Sequence, residues 1–321
     1  MIRIKCSHKH YPDLLWQWLA LKDIYGNTGI AYLAKRGIFF QHKDQDADIG
    51  ISWHGDRVKG IPKKNCILLK TEPPIYNIAY GWNLCNRKYM DKYMAVLSLY
   101  KEWYENSYHF MYVCISLLYD YIDKSYFDKP KEEMLCMILR NKKAIHNFSK
   151  FFPKLAMYNL LSNYNLKREY DRTFSDLLAH NNYHSYGRGW DSRCFKGSPK
   201  DRFERFKIYA NHTFTFCPEN SCVRGFITEK PIEAMMCGSI PIYKGPQDVD
   251  NYLPEGTYID LRNFDNPKEL VVFLKELLEP EIEWYRENIR KFVNSEKLVE
   301  MFSSVELAKV LERILEERNV I

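Results

Sequence analysis

The sequence lacks the short motifs by which several common enzyme classes are recognised. It contains no G-x-G-x-x-G and no G-x-x-x-x-G-K-[ST], which argues against a dinucleotide oxidoreductase and against a P-loop ATPase. Its nine cysteines include no C-x-x-C pair, and its histidines show no H-E-x-x-H spacing. A zinc ribbon and a zinc protease are therefore both disfavoured.

Long apolar segments are also missing from the N-terminal part of the sequence. The opening stretch, MIRIKCSHKHYPDLLWQWLALK, has no run long enough to span a bilayer and no signal-peptide core followed by a small-residue cleavage site. The cysteines are dispersed and odd in number, which favours reduced thiols. These features predict a cytoplasmic protein, and they leave a peripheral membrane contact open.

A dense run of basic residues is absent as well. The 47 basic and 41 acidic residues give a net charge of only +6, and the two signs are mixed along the chain. A nucleic-acid partner is therefore not expected, because its footprint would be denser. The content of 46% hydrophobic and 27% charged residues is that of a folded globular protein. A small anionic ligand such as a sugar nucleotide fits this mild charge better.

The length and the order of the apolar segments predict an α/β fold with two domains. A chain of 321 residues is too long for one ordinary core. Strand-like and helix-like segments alternate in both halves, which predicts two Rossmann-like domains facing across a cleft. We place the boundary so that the domains are residues 1–155 and residues 156–321.

Individual elements follow from the apolar spacing. Helices are predicted at Pro12–Leu21 and Leu166–His180, and Asn266 followed by Pro267 starts another. Two more, Pro280–Val293 and Lys297–Glu317, close the second domain. Strands are predicted at residues 1–6, Ile38–Gln41, Asp48–Trp53, Cys66–Lys70, Met94–Leu99 and Met111–Ser116, and Met134–Leu139 fits a strand or a helix equally.

The stretch from Phe214 to Pro246 is the most informative part of the sequence. It contains an apolar strand, a polar turn, a helix start and a second strand, Ile240–Tyr243, in the order of a βαβ unit. Polar groups of such a unit gather at the edge of the sheet where open α/β folds bind nucleotides and sugars. The stretch therefore predicts a ligand site in the second domain.

The helix within this unit begins with residues that favour an anion. Thr228 is predicted as the N-cap, with Glu229 and Lys230 in the first turn. Because N–H groups at a helix start carry partial positive charge and Lys230 adds a full one, a diphosphate would be held well there. Glu229 either accepts hydrogen bonds from sugar hydroxyls or only compensates the helix dipole.

Further candidates lie in turns. Arg188 stands between two glycines that let the backbone approach a ligand, and its guanidinium suits phosphate oxygens; an exposed turn arginine is the alternative. Glu219 and Asn220 either bind a ribose or hexose or only shape their turn. Glu72 follows a buried strand, so it is either a general base for an acceptor hydroxyl or a turn glutamate fixed by the two prolines after it.

A metal site is not predicted. Asp248 and Asp250 form a D-x-D, which chelates a metal diphosphate in some glycosyltransferases, but two aspartates at this spacing are common in surface loops. Arg188 and Lys230 already offer positive charge for a phosphate. No metal ligand and no required cofactor are therefore expected, and stimulation by Mn²⁺ or Mg²⁺ stays open.

Taken together, these motifs resemble those of glycosyltransferase family ten, the α-1,3/4-fucosyltransferases. The resemblance is carried by an E-N-S turn, a T-E-K helix start and a G…P…G-P end in this order, and it is strong over about residues 131–265. It implies a GT-B fold whose C-terminal half binds GDP-fucose and whose N-terminal half binds the acceptor. The residues that carry it are Tyr186-Gly187-Arg188-Gly189, Phe216, Glu219-Asn220-Ser221, Phe226-Ile227-Thr228-Glu229-Lys230, Gly238, Ile240-Pro241-Ile242-Tyr243 and Gly245-Pro246.

The resemblance also implies roles for single residues. Arg188 and Lys230 would neutralise the diphosphate, and Asn220 and Glu229 would contact fucose or ribose. Glu72, in a Thr-Glu-Pro string, is similar to the general base of the family. Phe226 occupies an aromatic donor-site position that is commonly Tyr. The donor-binding residues predicted in this way are Arg188, Glu219, Asn220, Phe226, Thr228, Glu229 and Lys230.

The reaction implied by the resemblance is an inverting transfer of L-fucose from GDP-β-L-fucose. The acceptor would be an oligosaccharide or glycoconjugate hydroxyl, such as O3 of a GlcNAc or glucose unit, and the product an α-1,3 link. Two alternatives stay open: a GT-B transferase that uses another nucleotide sugar, and a catalytically dead relative that only binds glycans.

Overall fold

The chain divides into two compact units, each built from more than one segment. The computed structural model describes residues 1–7, 14–23, 25–41, 45–71, 86–101, 105–111, 122–141, 160–178, 182–190 and 193–321. The first unit comprises Met1–Asp120, Val223–Ile227 and Glu296–Ile321. The second comprises Tyr121–Cys222 and Thr228–Ser295.

Each unit contains one parallel sheet. The first sheet has the strand order β2-β1-β3-β4-β5-β6 and the second β11-β10-β9-β7-β8, and every neighbouring pair is parallel. The strands are β1 Ile2–Ser7, β2 Ile38–Phe40, β3 Ile49–Trp53, β4 Cys66–Lys70, β5 Ala95–Ser98, β6 Ser107–His109, β7 Glu133–Ile138, β8 Tyr183–Tyr186, β9 His212–Phe216, β10 Ile240–Tyr243 and β11 Ile259–Asp260.

The described residues contain helices in both units. They are α1 Leu14–Ala20, α2 Gly29–Ala34, α3 Arg87–Met90, α4 Ser125–Asp128, α5 Leu160–Leu177, α6 Arg202–Asn211, α7 Glu229–Met236, α8 Pro267–Glu276, α9 Glu279–Val293, α10 Glu296–Phe302 and α11 Ser304–Glu317. No helix among these is long and apolar enough to cross a membrane. None of the seven cysteines in the same residues forms a disulfide.

The two sheets share one strand order. Counted from its first strand, each sheet reads 2-1-3-4-5, and the first sheet continues with a sixth strand. This is the order of doubly wound α/β folds, in which the chain reverses direction across the sheet between strands 1 and 3. The predicted pair of Rossmann-like domains is thereby confirmed. The reversal points lie between β1 and β3 in the first unit and between β7 and β9 in the second.

Apolar sequence explains why the central strands form. Every residue of β3, β4 and β5 is buried, as expected for parallel strands covered on both faces. The core of the first unit is completed by α11, whose apolar residues recur at helical spacing. The α11 residues in this core are Leu307, Ala308, Leu311, Ile314 and Leu315.

The observed units differ from the predicted domains 1–155 and 156–321 in two respects. Strand β7 pairs with β8 and β9, so it belongs to the second unit although it precedes residue 155. Helices α10 and α11, predicted to close the second domain, belong to the first unit. The sequence does not reveal this, because an apolar helix face is equally compatible with either sheet.

Most predicted elements are present with small changes at their ends. The ambiguous segment Met134–Leu139 is strand β7 because it is buried between two neighbours in the sheet. The single helix predicted at Lys297–Glu317 is wrong: Ser303 interrupts it and caps α11 by accepting a hydrogen bond from the Glu306 N–H. Most of the predicted strand Met111–Ser116 lies outside the described residues.

Gly238 ends α7 in a position that only glycine fits. Its φ is +70°, and a Cβ there would lie 2.3 Å from the carbonyl oxygen of Phe127. Gly197, in the same unit, has a φ of +105° but nothing within 4 Å of such a Cβ. The two glycines therefore separate backbone strain from steric clash.

We predict that Gly238→Ala destabilises the protein more than Gly197→Ala. The left-handed backbone costs an alanine about 1–2 kcal/mol. The clash with Phe127 adds about 1–3 kcal/mol at position 238 by forcing the backbone to shift. Urea unfolding of both variants checks the difference, and equal loss of stability would contradict the close approach to Phe127.

Candidate functional site

The predicted site residues of the second unit lie at the reversal point of its sheet. Glu219 and Asn220 follow β9, which is one of the two strands that flank this point. Their turn is held beside β10, since the Cys217 N–H donates to the Ile242 carbonyl and the Glu219 N–H to that of Lys244. In open α/β sheets ligands bind at this place, outside the carboxyl ends of the strands.

The Glu219 carboxylate is the centre of this region. It is fully buried and accepts hydrogen bonds from the Thr228 N–H at 2.7 Å, the Thr228 hydroxyl at 2.8 Å and Lys230 Nζ at 2.8 Å. The Tyr243 hydroxyl donates to it as well, at 3.2 Å. Burial and the nearby Glu219 raise the pKa of Tyr243 well above its ordinary value, which keeps this hydroxyl a donor. Glu219 therefore ties together the turn after β9, the start of α7 and the end of β10.

Thr228 stands at the N-cap position of α7, but the prediction that its side chain caps the helix is wrong. Its backbone is extended, with φ −105° and ψ −168°, as an N-cap requires. Its hydroxyl donates to Glu219 and accepts from Lys230 Nζ, and it accepts no hydrogen bond from a backbone N–H of the first turn. The N–H groups of the first turn are thus not used by this side chain.

Glu229 is half-buried beside several positive charges. Burial acts to raise its pKa, but Lys230, Arg205, its own backbone N–H and Arg202 together outweigh burial, so the pKa is lowered. The side chain therefore stays an ionised acceptor at neutral pH. This is the form that can accept hydrogen bonds from sugar hydroxyls.

A buried ion cluster supports α7 one turn further along. Glu233 is only 1% exposed, and its Oε1 lies 3.3 Å from Arg202 Nε and 3.0 Å from Arg205 Nη2, both of α6. Its other oxygen, Oε2, is buried without a hydrogen-bond partner in the described part of the chain. Burial raises the pKa of Glu233 to about 7, because it outweighs the two arginines while Glu229 adds repulsion.

Asn220 is anchored by Lys167, which was not predicted from the sequence as a site residue. Lys167, on α5, is 1% exposed and donates from Nζ to Asn220 Oδ1 at 2.8 Å. A signal was present, because Lys167 is in register with Tyr170, Phe174 and Leu178 on the buried face of the helix. A lysine on an apolar face indicates a buried partner.

Arg188 lies in the turn after β8, at the same sheet edge but two strands away from β9. Its side chain is exposed, and within the described residues it makes no ion pair. The reason predicted for its flanking glycines needs correction. A Cβ at Gly187 would meet the Leu139 carbonyl oxygen at 2.2 Å, and one at Gly189 that of Asn141 at 2.8 Å. These glycines make room for the backbone of Leu139 and Asn141. The Arg188 guanidinium between them stays exposed at the edge of the sheet.

Of the remaining predicted site residues, one belongs to the first unit and one lies outside the described residues. Phe226 is 2% exposed and belongs to the hydrophobic core of the first unit, together with residues such as Tyr108 and Leu97. Its segment, Val223–Ile227, is held there by the hydrogen bond from the Lys101 N–H to the Arg224 carbonyl. Glu72 lies outside the described residues.

The first unit contains one further candidate, His54. Thr71, which precedes Glu72 in the sequence, follows β4. The distance between its hydroxyl oxygen and His54 Nε2 is 3.0 Å. His54 follows β3, beside the reversal point of the first sheet, and has a left-handed φ of +47°. Strained residues of this kind are concentrated at functional sites. Its only sign in the sequence is a His-Gly pair after a buried strand.

The D-x-D pair is engaged with neighbouring side chains. Tyr258 donates to Asp250 at 3.0 Å, and Arg262 lies 3.9 Å from the same carboxylate. Tyr252 donates to Asp248 at 3.5 Å. In the described ranges no three His, Cys, Asp or Glu side chains come together as metal ligands.

The arrangement presents positive charge and hydrogen-bond groups at one sheet edge. Lys230 is held by Glu219 with 15% of its side chain exposed, next to first-turn N–H groups of α7 that the Thr228 side chain does not cap. Glu229 offers an acceptor, Asn220 an amide and Arg188 an exposed guanidinium. A diphosphate joined to hydroxyl-bearing sugars matches this set.

The fold is that of a GT-B glycosyltransferase. A solved α1,3-fucosyltransferase, described with GDP-fucose, superposes with a TM-score of 0.61 over 98% of this chain and 90% of its own, at 13% identity. The same enzyme described with GDP gives a TM-score of 0.59 at 12% identity. At such identities the likeness establishes the fold, two Rossmann-like domains.

A family model matches part of the chain. Residues 153–292, less than half of its length, match the model "Glycosyltransferase family 10 (fucosyltransferase) C-term". The resemblance drawn from the motifs is thereby confirmed. The matched region contains Arg188, the Glu219-Asn220 turn and the Thr228-Glu229-Lys230 helix start.

Curated relatives match over part of the chain. The mouse 4-galactosyl-N-acetylglucosaminide 3-alpha-L-fucosyltransferase 9 is 28% identical over 120 residues, which is 37% of this chain and 32% of that protein. An Arabidopsis thaliana alpha-(1,4)-fucosyltransferase is 34% identical over 68 residues, or 21% of this chain and 17% of its own length. The chain thus spans about a third or less of the length of these relatives.

Glu233 makes stability depend on pH in a direction that can be predicted. Its folded pKa of about 7 exceeds the ordinary value of 4.5, so the folded state binds the proton more tightly than the unfolded state. Its contribution to stability is complete below pH 4.5 and is lost as the pH rises through 7. We expect the stability of the wild type relative to Glu233→Gln to fall by on the order of 2 kcal/mol between pH 5 and 8.

Urea unfolding of both proteins at several pH values measures this difference. Because the two share every other titrating group, the comparison cancels the contributions of histidines and of Glu229. A constant difference across this range would show that Glu233 is ionised in the folded protein at pH 5.

Proposed function

We propose that the chain is an inverting α-1,3-fucosyltransferase. It would move L-fucose from GDP-β-L-fucose to a hydroxyl of an oligosaccharide or glycoconjugate, O3 of a GlcNAc or glucose unit. The observation that carries this proposal is the Lys230 ammonium, fixed by Glu219 at the start of α7 within the segment that matches the family. The curated relatives are named as fucosyltransferases, which supports the same transfer.

The donor would be bound by the second unit. Lys230, Arg188 and the N–H groups of α7 would neutralise the diphosphate, and Asn220 and Glu229 would contact fucose or ribose. When the bond between fucose C1 and the diphosphate breaks, negative charge grows on GDP. Fixed positive groups stabilise that charge without having to rearrange, which lowers the barrier.

The acceptor would be activated from the first unit. Glu72 would take the proton of the acceptor hydroxyl as its oxygen attacks fucose C1 in a single displacement. The transition state is oxocarbenium-like, and the β-linked donor becomes an α-linked product. Thr71 directly precedes Glu72 in the chain, and its hydroxyl lies 3.0 Å from His54 Nε2, which makes His54 a candidate to orient the acceptor or the base.

The remaining features of the proposal follow from composition and charge. We propose a cytoplasmic enzyme with no required cofactor, for which Mn²⁺ and Mg²⁺ are tested only as stimulants. The mild net charge of +6 supports a sugar nucleotide rather than a nucleic acid as partner. A peripheral membrane contact is compatible with the proposal and is not needed by it.

We predict selective stabilisation by GDP and GDP-fucose, and weaker binding of both by Arg188→Gln. A ligand at 100 times its Kd stabilises the native state by about 2.7 kcal/mol, which raises the melting temperature. A charge-assisted hydrogen bond contributes about 1.5–3 kcal/mol, so Arg188→Gln should weaken GDP binding by about ten-fold or more. Calorimetric titration measures this loss.

The matched control for that experiment is Arg172→Gln, because Arg172 is an exposed arginine of the same unit. It should bind GDP as the wild type does. Selective stabilisation by UDP-sugars would assign another nucleotide sugar as donor. No response to any nucleotide would favour the dead, glycan-binding relative.

We predict that Glu72→Gln loses activity without losing donor binding. Removal of a general base typically costs about 10²–10⁴-fold in rate. The Kd of GDP-fucose should be unchanged, since the base acts on the acceptor. Glu316→Gln, an exposed glutamate on α11, is the control for the same substitution. Turnover of Glu72→Gln at the wild-type rate would exclude Glu72 as the base.

A further inference from the structure

A buried lysine lies behind the candidate donor site. Lys167 of α5 is 1% exposed, and its Nζ donates a hydrogen bond of 2.8 Å to Oδ1 of Asn220. Asn220 itself is half-buried in the turn after β9. Removing a lysine from water costs several kcal/mol unless acceptors or opposite charges compensate it, and the Asn220 amide oxygen is one such acceptor.

The chemistry of the two groups fixes the orientation of the Asn220 amide. An ammonium group has three donors and no acceptor, so only the oxygen of the amide can face it. The Nδ2 amino group must then point away from Lys167. In the described part of the chain, no protein atom accepts a hydrogen bond from Nδ2. The donor end of Asn220 is therefore the end left for a ligand.

Asn220 is held from its other side as well. The preceding residue, Glu219, is fully buried and bound to Thr228, Lys230 and Tyr243. The backbone of the turn is thus fixed by Glu219, and the Asn220 side chain by Lys167. A lysine on α5 and a lysine on α7 hold two adjacent residues of one turn at the reversal point of the sheet.

We propose that Lys167 is a positioning residue that makes Asn220 a hydrogen-bond donor in the ligand site. Position 220 then recognises an oxygen acceptor of the bound nucleotide sugar, which is a phosphate oxygen or a sugar oxygen, and rejects a donor at the same point. This inference rests on the proposed donor site but does not depend on which sugar is transferred. Lys167 does not touch the ligand, because it is buried behind Asn220.

The Asn220→Asp variant distinguishes between two roles of Lys167, orienting the amide at position 220 and stabilising the turn. The aspartate keeps an acceptor for Lys167 and gains an ion pair, so the melting temperature should be maintained or raised. Its other oxygen cannot donate and repels a phosphate or a lone pair. We expect the affinity for GDP-fucose at pH 7.5 to fall by about ten-fold or more. Binding equal to that of the wild type would overturn the proposal.

A double-mutant cycle tests whether Lys167 acts through Asn220. Lys167→Met and Asn220→Ala should each weaken binding of GDP-fucose by about ten-fold, and the double variant should be no weaker than either. Losses that multiply in the double variant would show that Lys167 acts independently, and the positioning role would be rejected. Titration with GDP alone shows whether the acceptor belongs to the nucleotide part or to fucose.

Two further variants complete the design. Lys167→Arg keeps a donor to Oδ1 and should restore most of the affinity lost in Lys167→Met. Lys131→Met is the matched control, because Lys131 Nζ also serves buried acceptors in the second unit, the carbonyls of Ala210 and Cys237. It should lower the melting temperature and leave the affinity unchanged. An equal loss of affinity in Lys131→Met would mean that binding only reports stability.

The test also separates this inference from the proposed function. The same cycle is measured on urea unfolding of the ligand-free protein, where the Lys167–Asn220 hydrogen bond should make the two substitutions non-additive. If the wild type binds no guanine nucleotide, the proposed function fails, and the unfolding cycle still decides whether Lys167 holds Asn220. Additive unfolding energies would overturn the contact itself.

Discussion

The candidate site depends on one buried carboxylate. A carboxylate at 0% exposure is costly unless hydrogen-bond donors surround it, and Glu219 has them from Thr228, Lys230 and Tyr243. These donors come from the start of α7 and the end of β10, so the cost of burying the charge is offset only when both are in place. Glu219 therefore acts on ligand binding from inside the protein, by fixing where Lys230 and the helix start lie.

Much of the fold follows from the sequence because parallel strands and helix faces have clear apolar patterns. Strands such as Cys66–Lys70 are continuous buried runs, and the Asn266-Pro267 start of α8 is a strong local signal. The motif around Thr228-Glu229-Lys230 also located the site, because a βαβ unit places its polar turn at one sheet edge. Local chemistry of this kind can be read from neighbouring residues.

The remainder depends on contacts between residues distant in sequence. The Thr228 hydroxyl binds Glu219 instead of capping its own helix, and Lys167 binds Asn220, which is 53 positions away in the sequence. Phe226 lies in the core of the first unit although the motif around it belongs to the second. The type of a residue predicts whether its side chain is buried or exposed. It does not predict which part of the chain the side chain packs against or which residue it binds.

The segmented make-up of the first unit has a consequence for biosynthesis. Its sheet ends at His109, yet part of the core that covers the sheet comes from α11, which starts at Ser304. At roughly 5–20 residues per second, a ribosome needs about 10–40 s to translate the intervening chain. During this time the amino-terminal segment of the first unit keeps apolar surface exposed to water, while the segment that follows it can already fold. Nascent chains of this protein should depend on holding chaperones, in reverse of the usual order in which the first domain made is the first to fold.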